Sequence, residues 1–420
     1  MDGDGVVELA RDLIRIDTTN TGDPSTVVGE RDAAEYVAAR LTDAGYQPSY
    51  VEPAERRGNV VARLPGADPA RGALLVHAHL DVVPADAALW SVPPFSGEVA
   101  GGYLWGRGAV DMKHMAAMAL AVATRFKREG TVPGRDIVFA FFADEEAGGW
   151  YGARWLVDHR PDLFAGVSEA LGEVGGFSVT APDGRRAYLV QTAEKGAGWL
   201  RLRVRGAGGH GSLPHQDNPA ARLAAAVARL DRHRFPTVPT DPERDLLAGL
   251  AQAGVAPDEV GLGRLVEAAQ RDTANVTMLR AGYASNVVPT EAEATVDCRF
   301  LPGREEAFRG ELAEVLGPEV EITWDSLPAV QADFAGPLAA GLSAAIRAED
   351  PDALVLPYLM PAATDAKSLQ RLGISHLGCT PLRLPPGFDF LAMFHGVDER
   401  VPVDALHFGT RVLERLLRTG

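Results

Sequence analysis

The glycine-rich stretch Gly106-Arg107-Gly108-Ala109-Val110-Asp111-Met112-Lys113 decides how this chain is organised. Its glycines allow a sharp backbone turn and a close approach, and they deliver Asp111 just before an apolar helix that begins near Lys113. We predict that Asp111 lies at the centre of a two-metal site and offers one carboxylate oxygen to each metal. Taken alone, this aspartate is most simply a solvated turn residue, so the prediction depends on other segments of the chain.

Four other segments, distant in sequence, each end in a residue suited to the same site: His79, Glu146, Glu173 and His395. Divalent metals with open positions are typically bound by histidine together with carboxylates. In two-metal hydrolases the ions lie about 3.5–4 Å apart, where a shared carboxylate offsets their repulsion. We assign His79 and Glu173 to one metal and Glu146 and His395 to the other. Three carboxylates and one bridging hydroxide would neutralise two dications.

Two acidic residues beside these ligands are predicted to support catalysis. Asp81 follows His79 by two residues and shares its face of a strand, so it can accept the second ring N–H of the histidine; the alternative is a solvated strand end. Glu145 and Glu146 are adjacent and point apart, so only one of them ligates easily. We assign Glu145 as the general base that takes a proton from metal-bound water, leaving a hydroxide nucleophile, and gives it to a leaving amine. The alternative interpretation is that Glu145 is a solvated residue at the acid-rich start of a helix.

Three residues later in the chain are candidates for contact with a substrate. His210 in a glycine-rich turn could stabilise an oxyanion, although such a histidine is usually a surface residue. Arg299 could bind a carboxylate through two parallel hydrogen bonds, or it could form a salt bridge with Asp297 or Glu293. Asn286 could donate a hydrogen bond to a substrate, or it could be an ordinary turn asparagine.

Length and composition bound the class of protein. The 420 residues are too many for one ordinary core, and 46% hydrophobic with 23% charged residues is typical of a globular enzyme. A net charge of −16 argues against non-specific nucleic-acid binding. Cys298 and Cys379 form no disulfide framework, the start lacks the pattern of a signal peptide, and no apolar run is long enough to span a membrane. We expect a cytoplasmic protein without nucleic-acid or membrane partners.

The order of the predicted elements indicates two architectures. Up to about residue 193, helices at 6–16, 30–44 and 115–126 alternate with strands at 60–64, 73–76 and 137–142, which predicts an α/β layered sheet with a site along one edge. From residue 194 to 326, alternating strands at 199–204, 275–279 and 292–300 predict a separate α+β unit, with an irregular insertion at 236–256. We predict a discontinuous catalytic domain, 1–193 and 327–420, and an inserted lid domain, 194–326.

The motifs resemble those of a known superfamily, the zinc-dependent aminoacylases, acetylornithine deacetylases, succinyl-diaminopimelate desuccinylases and glutamate carboxypeptidases. They follow the family's order through nearly the whole chain: His79-x-Asp81-x-Val83-Pro84, Gly106-x-Gly108-x-x-Asp111-x-Lys113, Asp144-Glu145-Glu146, Gly172-Glu173, Gly208 to Ser212, Asn286-x-x-Pro289, Asp297-x-Arg299 and His395-x-x-Asp398-Glu399.

This resemblance implies more than the residues alone. It implies a catalytic domain whose mixed, mostly parallel sheet is covered by helices on both faces, two zinc ions with cobalt or manganese as substitutes, and a homodimer formed through the lid domain. It also implies that His210 reaches the active site of the partner, that Arg299 binds the substrate carboxylate, and that the peptide bond between Asp111 and Met112 is cis.

We therefore predict a two-metal hydrolase that cleaves an amide bond next to a free carboxylate, either an N-acyl amino acid deacylase or an exopeptidase acting on short peptides. The alternatives are a non-catalytic dimeric binding protein on the same fold and a metallophosphatase. The complete ligand set and Glu145 favour an enzyme over a binding protein. A phosphate-preferring site should carry more arginine and lysine near its ligands than this chain offers.

Overall fold

The computed structural model describes residues 5–419 of the chain. Residues 1–4, on which the expectation of no signal peptide partly depends, lie outside the described residues. The helices are Val6–Arg15 (α1), Arg31–Asp43 (α2), Lys113–Glu129 (α3), Ala153–His159 (α4), Pro219–Arg232 (α5), Asp241–Gln252 (α6), Gly263–Ala269 (α7), Glu305–Leu316 (α8), Pro337–Glu349 (α9), Ala366–Leu369 (α10) and Val403–Thr419 (α11).

The strands complete the chain order. They are Ser49–Val51 (β1), Asn59–Leu64 (β2), Ala73–His79 (β3), Glu98–Ala100 (β4), Tyr103–Trp105 (β5), Ile137–Phe142 (β6), Val167–Gly172 (β7), Ser178–Thr180 (β8), Arg186–Glu194 (β9), Gly196–Arg205 (β10), Gly209–His210 (β11), Thr273–Ala281 (β12), Val287–Val288 (β13), Glu291–Phe300 (β14), Glu321–Leu327 (β15), Val330–Gln331 (β16), Leu354–Met360 (β17), Ser375–Gly378 (β18) and Arg400–Pro402 (β19).

The large sheet has the strand order β1-β2-β6-β3-β7-β18-β9-β16, and β17 and β8 also pair with β9. Its central strands β6, β3, β7 and β18 run parallel, whereas β1 with β2 and β18 with β9 pair antiparallel. Helices cover both faces. This arrangement confirms the predicted α/β class with a mixed sheet that is parallel at its centre.

Strand β3 shows how the sequence places the sheet between two helical layers. Because side chains alternate along a strand, Leu74, Val76 and Ala78 pack into the core formed with α1, α3 and α11. Ala73 and Leu75 point to the opposite face and pack with residues of α4. Every residue of β3 is buried, which explains its nearly continuous apolar sequence, as expected for a parallel strand covered on both sides.

A second sheet, with the order β12-β14-β10-β15, is antiparallel throughout. The inward side chains of its strands pack against α5 and α8 in a core of their own. This agrees with the α+β character that the alternating sequence predicts for the region. The division of the chain into domains at residues 194 and 326 stays a prediction.

The prediction of an irregular insertion at residues 236–256 was wrong for most of that segment, because residues Asp241–Gln252 form the helix α6. Pro242 is compatible with this helix, because it lies in the first helical turn, where its missing N–H has no helical partner to lose. Leu246 and Leu250, one helical turn apart, are buried with the core of the large sheet rather than with the second sheet.

None of the helices within residues 5–419 is both long and apolar enough to cross a bilayer.

Candidate metal centre

Three of the predicted ligands come from neighbouring parallel strands. His79 is the last residue of β3, Glu145 and Glu146 follow β6 after a short turn, and Glu173 follows β7 directly. The carboxyl ends of parallel strands meet at one edge of a sheet, so the pairing of β3 with β6 and β7 brings these side chains together. The remaining two, Asp111 and His395, come from the turn before α3 and the segment before β19.

Asp111 lies between two histidines and offers a different oxygen to each. Its Oδ1 is 3.0 Å from Nε2 of His79 and its Oδ2 is 3.2 Å from Nε2 of His395. Glu173 Oε2 is 3.5 Å from the first imidazole, and Glu146 Oε2 is 3.1 Å from the second. Zinc ligands lie about 2.0–2.2 Å from the ion, so two ligands of one ion are roughly 3–3.5 Å apart.

The tautomer of His79 follows from its other hydrogen bond. The Nδ1–H donates to the backbone carbonyl of Asp81 at 3.0 Å, and a carbonyl can only accept. The Nε2 lone pair of the neutral ring therefore faces the Asp111 carboxylate, which is also an acceptor. Two acceptors at this distance need a proton or a cation between them, which is the situation that a metal ion resolves.

Asp81 contacts His79 differently from the prediction. Its carboxylate lies 3.5 Å from Nδ1, farther than its own backbone carbonyl. Instead, the carboxylate accepts the backbone N–H groups of Glu145 and Glu146, each at 3.0 Å, and the side-chain amide of Asn20 at 2.9 Å. Asp81 thus holds the turn that presents the two glutamates, and it is fully buried.

Glu145 and Glu146 both approach the ligand cluster. Oxygen atoms of Glu145 and Glu173 lie within 4.8 Å of a ring nitrogen of His79 and of each other. Glu146 forms a second group of the same kind with His79 and Asp111. The geometry therefore accommodates one glutamate as a ligand and the other as a proton carrier.

The turn that carries Asp111 is held by the buried carboxylate of Glu399. Its Oε1 accepts the backbone N–H groups of Val110 at 2.6 Å and Asp111 at 3.0 Å. Its Oε2 accepts from the backbone of Gly108 at 3.1 Å and from the guanidinium of Arg107 at 2.6 Å. Both carboxylate oxygens of Glu399 thus fix the backbone around Asp111, the candidate bridging ligand. The peptide bond Asp111–Met112 is cis, which confirms the expectation from the resemblance.

The site also contains charged contacts that the sequence did not reveal. Arg57 contacts both Asp144, beside the two glutamates, and Glu30 at 3.3 Å, and all three side chains are almost completely buried. Asp365 is buried near Glu145 and Glu173, and one of its oxygens has no hydrogen-bond partner within the described residues. Sequence spacing does not predict these contacts, because the contacting residues lie far apart in the chain.

Burial and crowding raise the pKa values of several carboxyls. Burial and the charge of Asp111 raise the pKa of Glu146 to about 7. Burial and the charge of Glu173 raise the pKa of Glu145 well above its usual value. Burial also raises the pKa of Glu173, although the neighbouring His79 opposes this shift. Carboxylates crowded away from water repel one another, and dications among them would offset that repulsion.

The donor set therefore fits a pair of divalent metal ions. It combines two imidazoles with three carboxylates, which is a common set for zinc and related metals. Glu146 Oε1 and Glu173 Oε1 are buried and lack a hydrogen-bond partner within residues 5–419. Buried polar atoms are rarely left unpaired, so these oxygens are free to bind a cation.

A cavity of about 770 Å³ opens beside these residues. Its lining includes Asp111, Glu145, Glu146, Glu173 and His395. Arg299 also lines this cavity and forms the salt bridge with Asp297 that the sequence left open as the alternative, with distances of 2.7 and 2.9 Å. The cavity is large enough for a small-molecule ligand.

His210 and Asn286 are not brought to this cavity within the chain. His210 belongs to the small two-stranded ladder β11–β13, and Asn286 lies just before β13, where its carbonyl accepts the Gly211 N–H at 2.8 Å. Both side chains are exposed. The His210 ring accepts a backbone N–H from Ser212. Their predicted contacts with a substrate stay predictions.

Comparison with known proteins agrees with this geometry. The model of peptidase family M20/M25/M40 matches residues 75–419. Among curated relatives, aminoacylase-1 from Sus scrofa is 30% identical over 422 residues, which cover 98% of this chain and 94% of that protein.

Among solved structures, the M20 family metallo-carboxypeptidase Sso-CP2 from Sulfolobus solfataricus superimposes with a TM-score of 0.74 at 18% identity and covers 100% of this chain and 99% of its own. The YXEP protein of Bacillus subtilis, described as a dinuclear metal binding peptidase, superimposes with a TM-score of 0.67 at 15% identity and covers 98% of this chain and 96% of its own. At these identities the two structures show a shared fold.

Proposed function

This chain belongs to peptidase family M20/M25/M40, which confirms the family resemblance, and on that premise we propose that it is a two-metal hydrolase of amide bonds next to a free carboxylate. The observation that carries the proposal is the position of Asp111 between His79 and His395, with one oxygen for each. His79 and Glu173 would hold one ion, Glu146 and His395 the other, and Asp111 both. The names of the relatives, an aminoacylase and two peptidases, support amide hydrolysis.

Zinc is the proposed metal, with cobalt or manganese as substitutes. When bound, such ions supply Lewis acidity and lower the pKa of coordinated water from about 15.7 to about 7. Cys298 and Cys379 are both buried and unpaired, which supports the proposed cytoplasmic setting, because structural disulfides are rare there.

The residues of the chain would divide the remaining tasks. Glu145 lines the cavity beside the candidate ligands, where it would take a proton from the attacking water and return it to the leaving amine. Asp81 would fix the turn of Glu145 and Glu146 through its two backbone hydrogen bonds. His210 would stabilise the developing oxyanion, and Asn286 would bind the substrate beside it.

The cavity walls favour a substrate with a bulky apolar group. They include Trp150, Trp199, Leu265, Leu327, Met360, Leu391 and Phe394. Burial of a leucine-sized group is worth about 1.5–3 kcal/mol, so we expect kcat/KM to be about 10- to 100-fold higher for N-acetyl-leucine or a leucine dipeptide than for the glycine counterparts.

The test is turnover of a panel of N-acyl amino acids and dipeptides by the full-length protein reconstituted with zinc or cobalt. Release of free amine measures the reaction, and phosphate esters serve as the control class. Turnover of phosphate esters alone, or binding of the amides without hydrolysis, would contradict the proposed function. Equal rates for the leucine and glycine compounds would contradict only the role of the apolar walls.

We also propose that the chain forms a homodimer through the second sheet and that His210 acts in the partner's site. Strand β12 lies at the edge of that sheet, and Met278, Leu279 and Tyr283 expose apolar surface on it and just after it. An open edge strand is a ready template for pairing with another chain.

Hybrid dimers test this arrangement. Neither Glu145→Ala nor His210→Ala homodimers should be active, because each lacks a component at both sites. A mixture unfolded and refolded together should recover activity, because every hybrid dimer carries one site with both an intact Glu145 and an intact His210. Differently tagged subunits allow the hybrids to be purified and assayed. Inactive hybrids would contradict action in trans.

A further inference from the structure

A second cavity, of about 280 Å³, lies beside the one that the candidate metal ligands line. Its lining comes from three segments: residues 177–180, which include β8, residues 259–262 just before α7, and most of residues 385–391, which lead to His395. Leu391 lines both cavities. We call the larger one the main cavity and the smaller one the distal compartment.

Side chains in direct contact separate the two cavities. The ring of Phe390 lines the distal compartment and lies 5.2 Å, between centroids, from the ring of Phe394 in the main cavity. In the same way, Phe177 of the compartment lies 6.3 Å from Tyr358 of the main cavity. Aromatic rings at these separations pack against each other. An elongated ligand that extends past Leu391 would therefore pass directly from one cavity into the other.

The distal compartment suits an uncharged chain. Two carboxylates line it, those of Glu259 and Asp389, and no arginine, lysine or histidine of residues 5–419 does so. Both acidic residues are exposed, and they would repel an anionic group at the end of a ligand. The remaining lining is largely apolar and includes Phe177, Val179, Val260, Leu262, Phe388 and Phe390.

The cations lie in the main cavity instead. Besides His395, its lining contains Arg154, Arg299 and Lys367, and cationic side chains are the usual partners of a ligand carboxylate. In an N-acyl amino acid, the carboxylate and the end of the acyl chain are opposite ends of the molecule. A substrate whose carboxylate stays in the main cavity can therefore extend its acyl chain into the distal compartment, where the charges exclude the carboxylate.

From this continuity and this difference in charge we propose that the distal compartment binds the outer part of a long, uncharged acyl chain, so that the enzyme acts on long-chain N-acyl amino acids. The inference rests on the proposed amide hydrolysis and deepens it by naming the class of acyl group. Burial of one CH₂ group favours binding by about fourfold. We therefore expect kcat/KM to rise with each added CH₂ group once the chain passes Leu391, and to level off when the compartment is full.

The test uses N-acetyl-, N-hexanoyl- and N-decanoyl-leucine with the full-length protein reconstituted with zinc, below the concentrations at which these compounds form micelles. The decanoyl compound should exceed the acetyl compound in kcat/KM by at least about 100-fold. A chain of the same length that ends in a carboxylate should lose most of this gain, because its charge would enter an apolar compartment without a cation. A long chain on the amino acid side of an N-acetyl compound should gain much less.

Thr180→Trp should close the distal compartment without touching the main cavity. Thr180 lines only the smaller cavity, is half-buried, and its hydroxyl has no hydrogen-bond partner within residues 5–419, so the substitution breaks no hydrogen bond of that side chain. It should remove most of the advantage of the decanoyl chain and leave kcat/KM for N-acetyl-leucine within about 2-fold, as expected for a distant site. Thr180→Val is the matched control, because it removes the hydroxyl but keeps the space, and it should retain the advantage.

Three results would overturn the inference: equal kcat/KM across the three chain lengths, an advantage of the decanoyl chain that persists in Thr180→Trp, or a loss in Thr180→Trp confined to compounds with the long chain on the amino acid side. Val260→Trp, which fills the same compartment from residues 259–262, replaces Thr180→Trp if that variant does not fold. If no compound is hydrolysed, the proposed function fails by itself. Calorimetric binding of N-decanoyl- and N-acetyl-leucine to the wild type and Thr180→Trp then decides the inference separately, and equal affinities for the two compounds in the wild type would overturn it.

Discussion

Replacement of Glu145 by glutamine should lower kcat by about 10²- to 10⁴-fold, the usual contribution of a general acid–base group, while the protein keeps its bound metal. Glutamine has almost the same shape as glutamate but cannot accept a proton from water at neutral pH. The Glu145 backbone N–H would still donate to Asp81, so the turn should be preserved. The measurements are turnover of the best panel substrate and metal content after dialysis.

Glu146→Gln is the matched control for this prediction, since the two residues are adjacent and both approach His79. We expect Glu146→Gln to lose metal as well as activity, because Glu146 Oε2 lies 3.1 Å from His395 and its other oxygen lacks a partner within residues 5–419. The opposite pattern, with metal lost in Glu145→Gln and retained in Glu146→Gln, would exchange the two assignments.

Replacement of Asp111 by asparagine should abolish the binding of two metal ions per chain and lower activity by at least about 100-fold. Changes in residues that only orient metal ligands already cost about 10- to 100-fold, and Asp111 is the proposed ligand of both ions. The substitution keeps the side-chain volume, and the backbone N–H of residue 111 can still donate to Glu399, so loss of metal should not reflect loss of the turn.

Metal stoichiometry and turnover, measured side by side, check this second prediction. Asp325→Asn is the control, because Asp325 lines the same cavity but belongs to none of the candidate ligand groups. It should retain both ions and most of the activity. Two ions bound to Asp111→Asn with unchanged affinity would contradict the bridging role and, with it, the observation on which the proposed function depends.

The elements that the sequence predicted well are those whose signal is local. The apolar run of residues 137–142 coincides with β6, because burial on both faces removes polar residues from a strand. The candidate ligands were identified from residue type and from their place at the ends of apolar runs. Parallel strands share one edge for their carboxyl ends, so convergence of His79, Glu146 and Glu173 was predictable before any coordinates.

The features that the sequence did not predict depend on contacts between residues far apart in the chain. Helix α6 was missed because its packing comes from Leu246 and Leu250 against the large sheet, a contact between segments far apart in the chain. For Asp81, the strand period correctly predicted proximity to His79, but it could not show that the carboxylate would accept two N–H groups from the turn after β6.

The sequence by itself determined the chemistry available to this protein: two imidazoles and three carboxylates at the ends of separate elements, together with a mixed sheet that could gather them. Only the tertiary structure decided which cations near that site are already paired. Arg299 and Arg154 are the same residue type and line the same cavity, yet Arg299 pairs with Asp297, whereas Arg154 stacks on the indole of Trp150 and has no ion pair within residues 5–419. Pairing of charges depends on distances of a few ångströms across packed elements, and neither residue type nor sequence spacing specifies those distances.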